Sequence, residues 1–380
     1  MKVIKPSLLV WGLSVLMDIS FMTEGRPGVS ADEDGLLRTL EGRRGRVEVL
    51  SKTFMIDRAY RAMEGPSSSR TVCLLQHEPP ELLWMTGAWA EVVGPDGSAP
   101  ASSEFMCHAN VEFLDLRRHL ALFGMGSKIR RPLFFNLSPG QLRIDLPEGF
   151  GIPILSNEPL SMTTQVLNQN IEQATVQVRH RVTMEFVRDH GLRGPIQPLF
   201  ERSVYGLALL EGRDGYFGQG STDRPKHSPG CPIGMDATYS RGVHVVRDAF
   251  GRTFTAQWVL KPGRHVNRTL VTEVLALPFD TTVHHITVHL HPFAESIELR
   301  NLTTGHTLFK SRARDFSDRI GIAYADHLSS VEGIPLYKDH EYELVTMYHN
   351  TTSEDQDAMG VMYLYLLDKE FQKPTLAFRE

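Results

Sequence analysis

The sequence predicts an all-β chain: two antiparallel β-sandwich, jelly-roll-like domains packed side by side. Three observations lead there. Short runs rich in Val, Ile, Thr and aromatic residues recur along the 380 residues, broken by turn formers that include 31 Gly and 22 Pro. Several of these runs alternate apolar with polar side chains, which is the period of a strand with one buried face. Helical periodicity is confined to two short candidates, 32–40 and 111–122.

Taken in order, residues 1–30 come first. Lys2 and Lys5 precede the apolar run 8–17, which is too short to span a bilayer. That shape predicts a secretory leader or a disordered extension, hence a secreted or periplasmic mature chain with no transmembrane span. No small-x-small cleavage pattern follows, since Asp18, Ile19 and Ser20 come next. The first sandwich is expected over 31–190, with strands at 71–76, 109–114, 141–146 and 174–187. Gly191, Gly194, Pro195 and Pro198 mark 189–203 as the domain boundary. The second sandwich is expected over 200–380, with strands at 242–247, 253–260, 271–277, 296–300 and 342–348. Early in this second part, 212–236 reads as a long loop rich in Gly and Pro. Its Gly-Tyr-Phe-Gly-Gln-Gly run has no strand before it and no helix after it, as a dinucleotide site requires.

Composition narrows the function classes. A formal charge of -5 leaves no basic footprint, so no nucleic-acid partner is expected. Three cysteines, Cys73, Cys107 and Cys231, allow at most one disulfide, so the fold is not disulfide-built. Asn136, Asn267, Asn301 and Asn350 begin glycosylation patterns, which carry weight only in a eukaryotic secretory pathway. No Gly-x-Ser-x-Gly elbow, HExxH helix or paired CxxC appears, and hydrolase or zinc-finger readings lack support.

The chemistry concentrates near the C-terminus. Residues 281–291 carry His284, His285, His289 and His291 in a stretch that reads as a strand. Alternation puts His285, His289 and His291 on one face and Ile286, Val288 and Leu290 on the other, with His284 facing away from the polar set. Two imidazoles at i and i+2 form half of a metal site. Met359 adds a thioether ahead of another alternating strand, and imidazole with thioether suits copper, because soft sulfur favours Cu(I). Met362 is the rival thioether; three residues apart on one strand, the two face opposite sides and only one can ligate. A solvated histidine face with a core methionine is the other reading of the same residues.

These segments, 283–291 and 342–366, resemble the second domain of the copper type II, ascorbate-dependent monooxygenases, the family of peptidylglycine α-hydroxylating monooxygenase and dopamine β-hydroxylase. In that family a His-x-His strand is followed by an acidic Thr/Ser-rich loop ending in Asp-x-Met before a Tyr-rich strand. His289, His291 and Met359 fall on the three ligand positions. The resemblance implies copper, a small-molecule or peptide substrate, and C–H hydroxylation with O2 and an external reductant such as ascorbate. The family's other copper is held by three histidines, two of them adjacent. Here Cys107-His108 stands where the pair is expected, and Asn168 where the third is expected. Cys107 is either a soft thiolate ligand or a small buried hydrophobe. His77 is read as a core histidine or a further first-domain ligand, and His349 as a group that orients a ligand imidazole. The alternative to an enzyme is a non-catalytic copper-binding or protein-interaction β-sandwich that keeps the scaffold.

Overall fold

The computed structural model describes residues 28–31 and 37–374, apart from 61, 63, 76–78, 127, 172–174, 191, 193, 212–216, 218–238 and 241–242. Residues 1–27 of the expected leader, His77, Cys231 and all of the Gly-rich loop except Phe217 lie outside the described residues, while Gly28–Ala31 is a strand. Among those described, no helix is long and apolar enough to cross a membrane.

The fold is all-β and built from antiparallel sheets, as expected. In the first half one sheet runs through Leu37–Glu41, Arg44–Leu50, Val176–Arg188, Leu82–Val93 and Phe150–Leu155. It packs on a second sheet ordered Ser67–Val72, Leu160–Gln165, His108–Phe113 and Leu133–Leu137. In the second half Gln197–Tyr205, Gln356–Leu367, Thr281–Leu290 and Leu328–Leu336 lie against Gly263–Leu270, Tyr342–Asn350, Ala294–Asn301, His306–Asp315 and Ile322–Ala325. Alternation explains the core. In Gln356–Leu367 the even positions Ala358, Gly360, Met362, Leu364 and Leu366 are buried, and Gly360 abuts Thr346 and Ile297 of the opposing sheet. A Cβ on Gly360 would stand 2.6 Å from Thr346 Cγ2, so glycine is what lets the layers approach there.

The odd positions of the same strand turn toward the first half. Tyr365 meets Phe135 with ring centroids 6.1 Å apart. The two halves are keyed together by the turn after Leu133–Leu137. Ser138 Oγ donates to Val288 O (3.2 Å), Val288 N donates to Gln141 Oε1 (2.6 Å), and Gln141 Nε2 donates to Ala325 O and Asp326 O. Gly140 makes this turn possible: its φ is +83°, and a Cβ there would lie 2.7 Å from Ile322 Cγ2.

Several expectations are corrected. One sheet crosses the expected boundary at 189–203, because Gln197 and Pro198 pair in parallel with Phe150 and Gly151 and cover an otherwise open strand edge. The helix expected at 32–40 is a strand over its described part, Leu37–Glu41, which pairs with Arg44–Leu50. Within 111–122 the chain stays extended to Phe113 and turns helical at Leu116–Phe123, where Asp115 caps by accepting from Arg118 N (3.0 Å). The strand expected at 271–277 is a helical turn, Thr272–Leu275, whose Thr272 Oγ1 accepts from Tyr342 N (2.8 Å). The four candidate glycosylation asparagines already use their side-chain amides: Asn136 donates to Asn110, Asn267 to Leu207 O and Asn350 to Leu260 O, while Asn301 Nδ2 meets His340 Nδ1.

Candidate metal centre

The strand Thr281–Leu290 carries the histidines, and its register decides what they face. His289 pairs with Val361 and Leu290 with Gly360 on Gln356–Leu367, and His291 N donates to Met359 O (3.2 Å). Directly paired residues in an antiparallel ladder share a face. His289, His291, Asp357, Met359 and Val361 therefore lie on the face turned to the first half. Met362 pairs with Val288 on the opposite, apolar face and is fully buried.

His289 and His291 are buried, with ring centroids 5.3 Å apart. His291 Nδ1 lies 2.7 Å from Asp357 Oδ2, a contact at ion-pair distance whose angle is poor for a hydrogen bond. Gln257 Nε2 donates to the same carboxyl (3.3 Å). Burial, the largest single influence, pushes the Asp357 carboxyl up, but the His291 imidazole together with hydrogen bonds from Gln257 and the main chain leaves the group below its ordinary value. His289 Nδ1 and His291 Nε2 are buried without a hydrogen-bond partner. Met359 is half-buried at the edge of the apolar core. It is the cross-strand neighbour of His291, but it does not line the cavity described next.

The first half contributes from the strand His108–Phe113. Ala109, Val111 and Phe113 fill its own core, so His108 and Asn110 project toward the second half. The His108 ring stands 6.3 Å from that of His289. Burial, and secondarily the neighbouring His291 imidazole, lower the pKa of His108 to about 4. His289 is depressed well below its usual value by burial, then by His291 and His108. These two imidazoles are neutral at pH 7, which is the form that ligates metal. Cys107 lines a cavity of about 20 Å³ together with His289 and His291, room for about one water. The cavity shares Pro292, Phe316, Ile320 and Gly321 with an open groove of about 930 Å³.

Among the described residues no three His, Cys, Asp or Glu side chains stand closed around a metal position. The donor types and spacing nevertheless fit one. Two imidazoles on a common ion, with metal–nitrogen bonds of about 2.0–2.1 Å, have ring centroids roughly 5 Å apart at a tetrahedral angle and roughly 6 Å when trans. The 5.3 Å and 6.3 Å separations fall in that range, and a bound ion would require the rings to rotate until their nitrogens converge.

Other sequence candidates fall elsewhere. Asn168 holds a turn, donating to Arg58 O and Ile171 O, and is not part of the centre. His349 lies 3.9 Å from Glu295 beside the open groove; Asp357, rather than His349, braces a ligand-type imidazole. His284 faces away, donating from Nδ1 to Ser330 O (3.0 Å) and stacking on Phe150. Sequence reasoning missed His180. It is fully buried, donates from Nε2 to Phe105 O (3.0 Å), keeps Nδ1 unpartnered, and feels the charge of His108. Its signal was present: His180 occupies a position of Val176–Arg188 where alternation calls for an apolar residue.

No family model and no curated protein matches this chain. Among solved structures it is similar to a peptide-N(4)-(N-acetyl-β-D-glucosaminyl) asparagine amidase, with 10% identity over 86% of this chain and 99% of that one and a TM-score of 0.32. A protein from Corynebacterium diphtheriae described as membrane anchored follows, with 8% identity, coverage of 87% and 89%, and a TM-score of 0.18. The coconut allergen cocosin is 8% identical over 92% and 84%, with a TM-score of 0.13. Likenesses this low carry no argument about fold or activity.

Proposed function

We propose that this chain is a copper protein of monooxygenase type, holding the metal at His289, His291 and Met359 and hydroxylating a C–H bond of a small-molecule or peptide substrate. The observation that supports this best is the pairing of two buried imidazoles that retain unpartnered nitrogens with Asp357 behind one and Met359 across the ladder from it. Bound copper would supply O2 reduction at the expense of an external reductant such as ascorbate. The protein's own residues do the rest. Asp357 orients the His291 ring and favours Nδ1 protonation, which leaves Nε2 as the donor atom. Burial keeps His289 neutral and limits water to about one molecule. The groove beside Phe316 and Ile320 adjoins the cavity and is large enough to serve as an entry route for a substrate.

A second reading, a copper-binding scaffold without catalysis, has its own observation. The cavity at the imidazoles is too small for an organic substrate as it stands, and Cys107 packs with Ala62 and Leu167 as a small hydrophobe would. The deciding experiment is copper stoichiometry on purified protein, followed by ascorbate-dependent O2 consumption. Bound copper with substrate-stimulated turnover supports the oxygenase, bound copper without turnover supports the scaffold, and no copper rejects both.

A further inference from the structure

We infer that His108 of the first sandwich binds the same metal ion as His289 and His291 of the second, so that a single copper clamps the two halves together. This rests on the reading of His289 and His291 as a copper site. The family resemblance leads instead to two coppers, each confined to one domain, with Cys107 and His108 belonging to the other one.

The geometry points to one shared ion. His289 sits between its neighbours, 5.3 Å from the His291 ring and 6.3 Å from the His108 ring. Both separations match imidazoles around one centre. Asn168, where a third first-domain ligand is expected, is committed to its turn, and His180 spends Nε2 on Phe105 O and keeps only Nδ1 unpartnered. The spacing is also held by the scaffold. Leu133–Leu137 pairs with His108–Phe113 (Ala109 opposite Leu137), and the turn that follows fixes both backbone groups of Val288, immediately before His289. His108 and His289 are thus tied to one hydrogen-bonded frame across the interface.

The test uses the full chain, stripped with chelator and titrated with copper. The Cu(II) form is examined by electron paramagnetic resonance with histidine-nitrogen hyperfine analysis, and thermal unfolding is followed with and without metal. The expected result is one copper per chain, three coordinated imidazoles, and a copper-induced rise in Tm. His108→Gln should retain one copper with two imidazoles, bind at least about tenfold more weakly, and lose most of the Tm rise. Two imidazoles in the parent protein, or unchanged affinity in His108→Gln, would overturn the clamp and leave the copper reading standing. Two coppers per chain would overturn it as well. No copper bound by the parent would overturn both. If His108→Gln does not fold, the imidazole count in the parent decides alone.

Discussion

Replacing His285 by Phe should flatten the acid sensitivity of this protein by a calculable amount. His285 lies on the interface-facing side of its strand, 1% exposed, with both ring nitrogens unpartnered and its ring 5.5 Å from that of Tyr365. Burial, then the charge of His327, lowers its pKa from 6.5 to about 3, against a smaller opposing pull from Asp145. The folded state therefore binds fewer protons than the unfolded chain. Stability is intact above pH 6.5 and is lost as pH falls from there toward about 3. At 1.36 kcal/mol per unit, the loss between pH 7 and pH 5 is about 2 kcal/mol, approaching about 5 kcal/mol near pH 3. Phe keeps a ring against Tyr365 and removes the proton-binding atoms. It also removes two buried unsatisfied nitrogens, so His285→Phe should be more stable at pH 7 by about 1–3 kcal/mol. The assay is urea unfolding of metal-free protein at pH 7 and pH 5, read by tryptophan fluorescence and compared as midpoint shifts at a common slope. The gap between variant and parent should widen by about 2 kcal/mol at the lower pH. Parallel profiles would refute the reasoning, because they would mean that His285 is solvated or partnered in solution.

Other outcomes follow from the same structure. Met359→Leu should keep the fold and weaken Cu(I) binding more than Cu(II), measured by competition with chelators selective for each state; equal loss of both, or no loss, would make Met359 a packing residue. Asp357→Asn removes the carboxylate behind His291 and should weaken Cu(II) binding by about 10–100-fold in the same titration. Because the Asp357 carboxyl sits below its ordinary value, its contribution to stability is present above about pH 4 and fades as pH falls below that, so the variant should differ least from the parent in acid. Gly360→Ala should destabilise by about 1–3 kcal/mol through the 2.6 Å approach to Thr346 Cγ2, and adding Thr346→Ser, which removes that methyl, should restore most of the loss.

Much of the fold was legible because strands with one buried face announce themselves. Val176–Arg188 and Tyr342–Asn350 alternate over most of their length, and His289 with His291 could be assigned to one face from spacing alone. What escaped was fixed by partners distant in sequence. Residues 271–277 look like a strand, yet hydrogen bonds to Tyr342 curl them into a helical turn. Fully buried strands such as Phe150–Leu155 show no alternation at all, so periodicity passes over them. At the centre, Asp357 was visible only as part of an Asp-x-Met pattern. Its role depends on the one register that brings it beside His291, which no local signal specifies. His108 was read as a ligand within its own domain, because nothing in residues 105–113 reveals what lies across the interface.

The turn from Ser138 to Gln141 has a consequence for anyone dissecting this protein. Gln141 alone serves three main-chain groups of the second half, and Gln197 and Pro198 complete an edge of the first. A cut between residues 189 and 196 would leave one fragment with an exposed sticky margin and the other with stranded amides and carbonyls at Val288, Ala325 and Asp326. Such fragments would be expected to precipitate or to seek each other out, and co-expressed pieces to reassemble where separately produced ones fail. The unit that can be inherited, shuffled or engineered is then the pair of sandwiches and not either one.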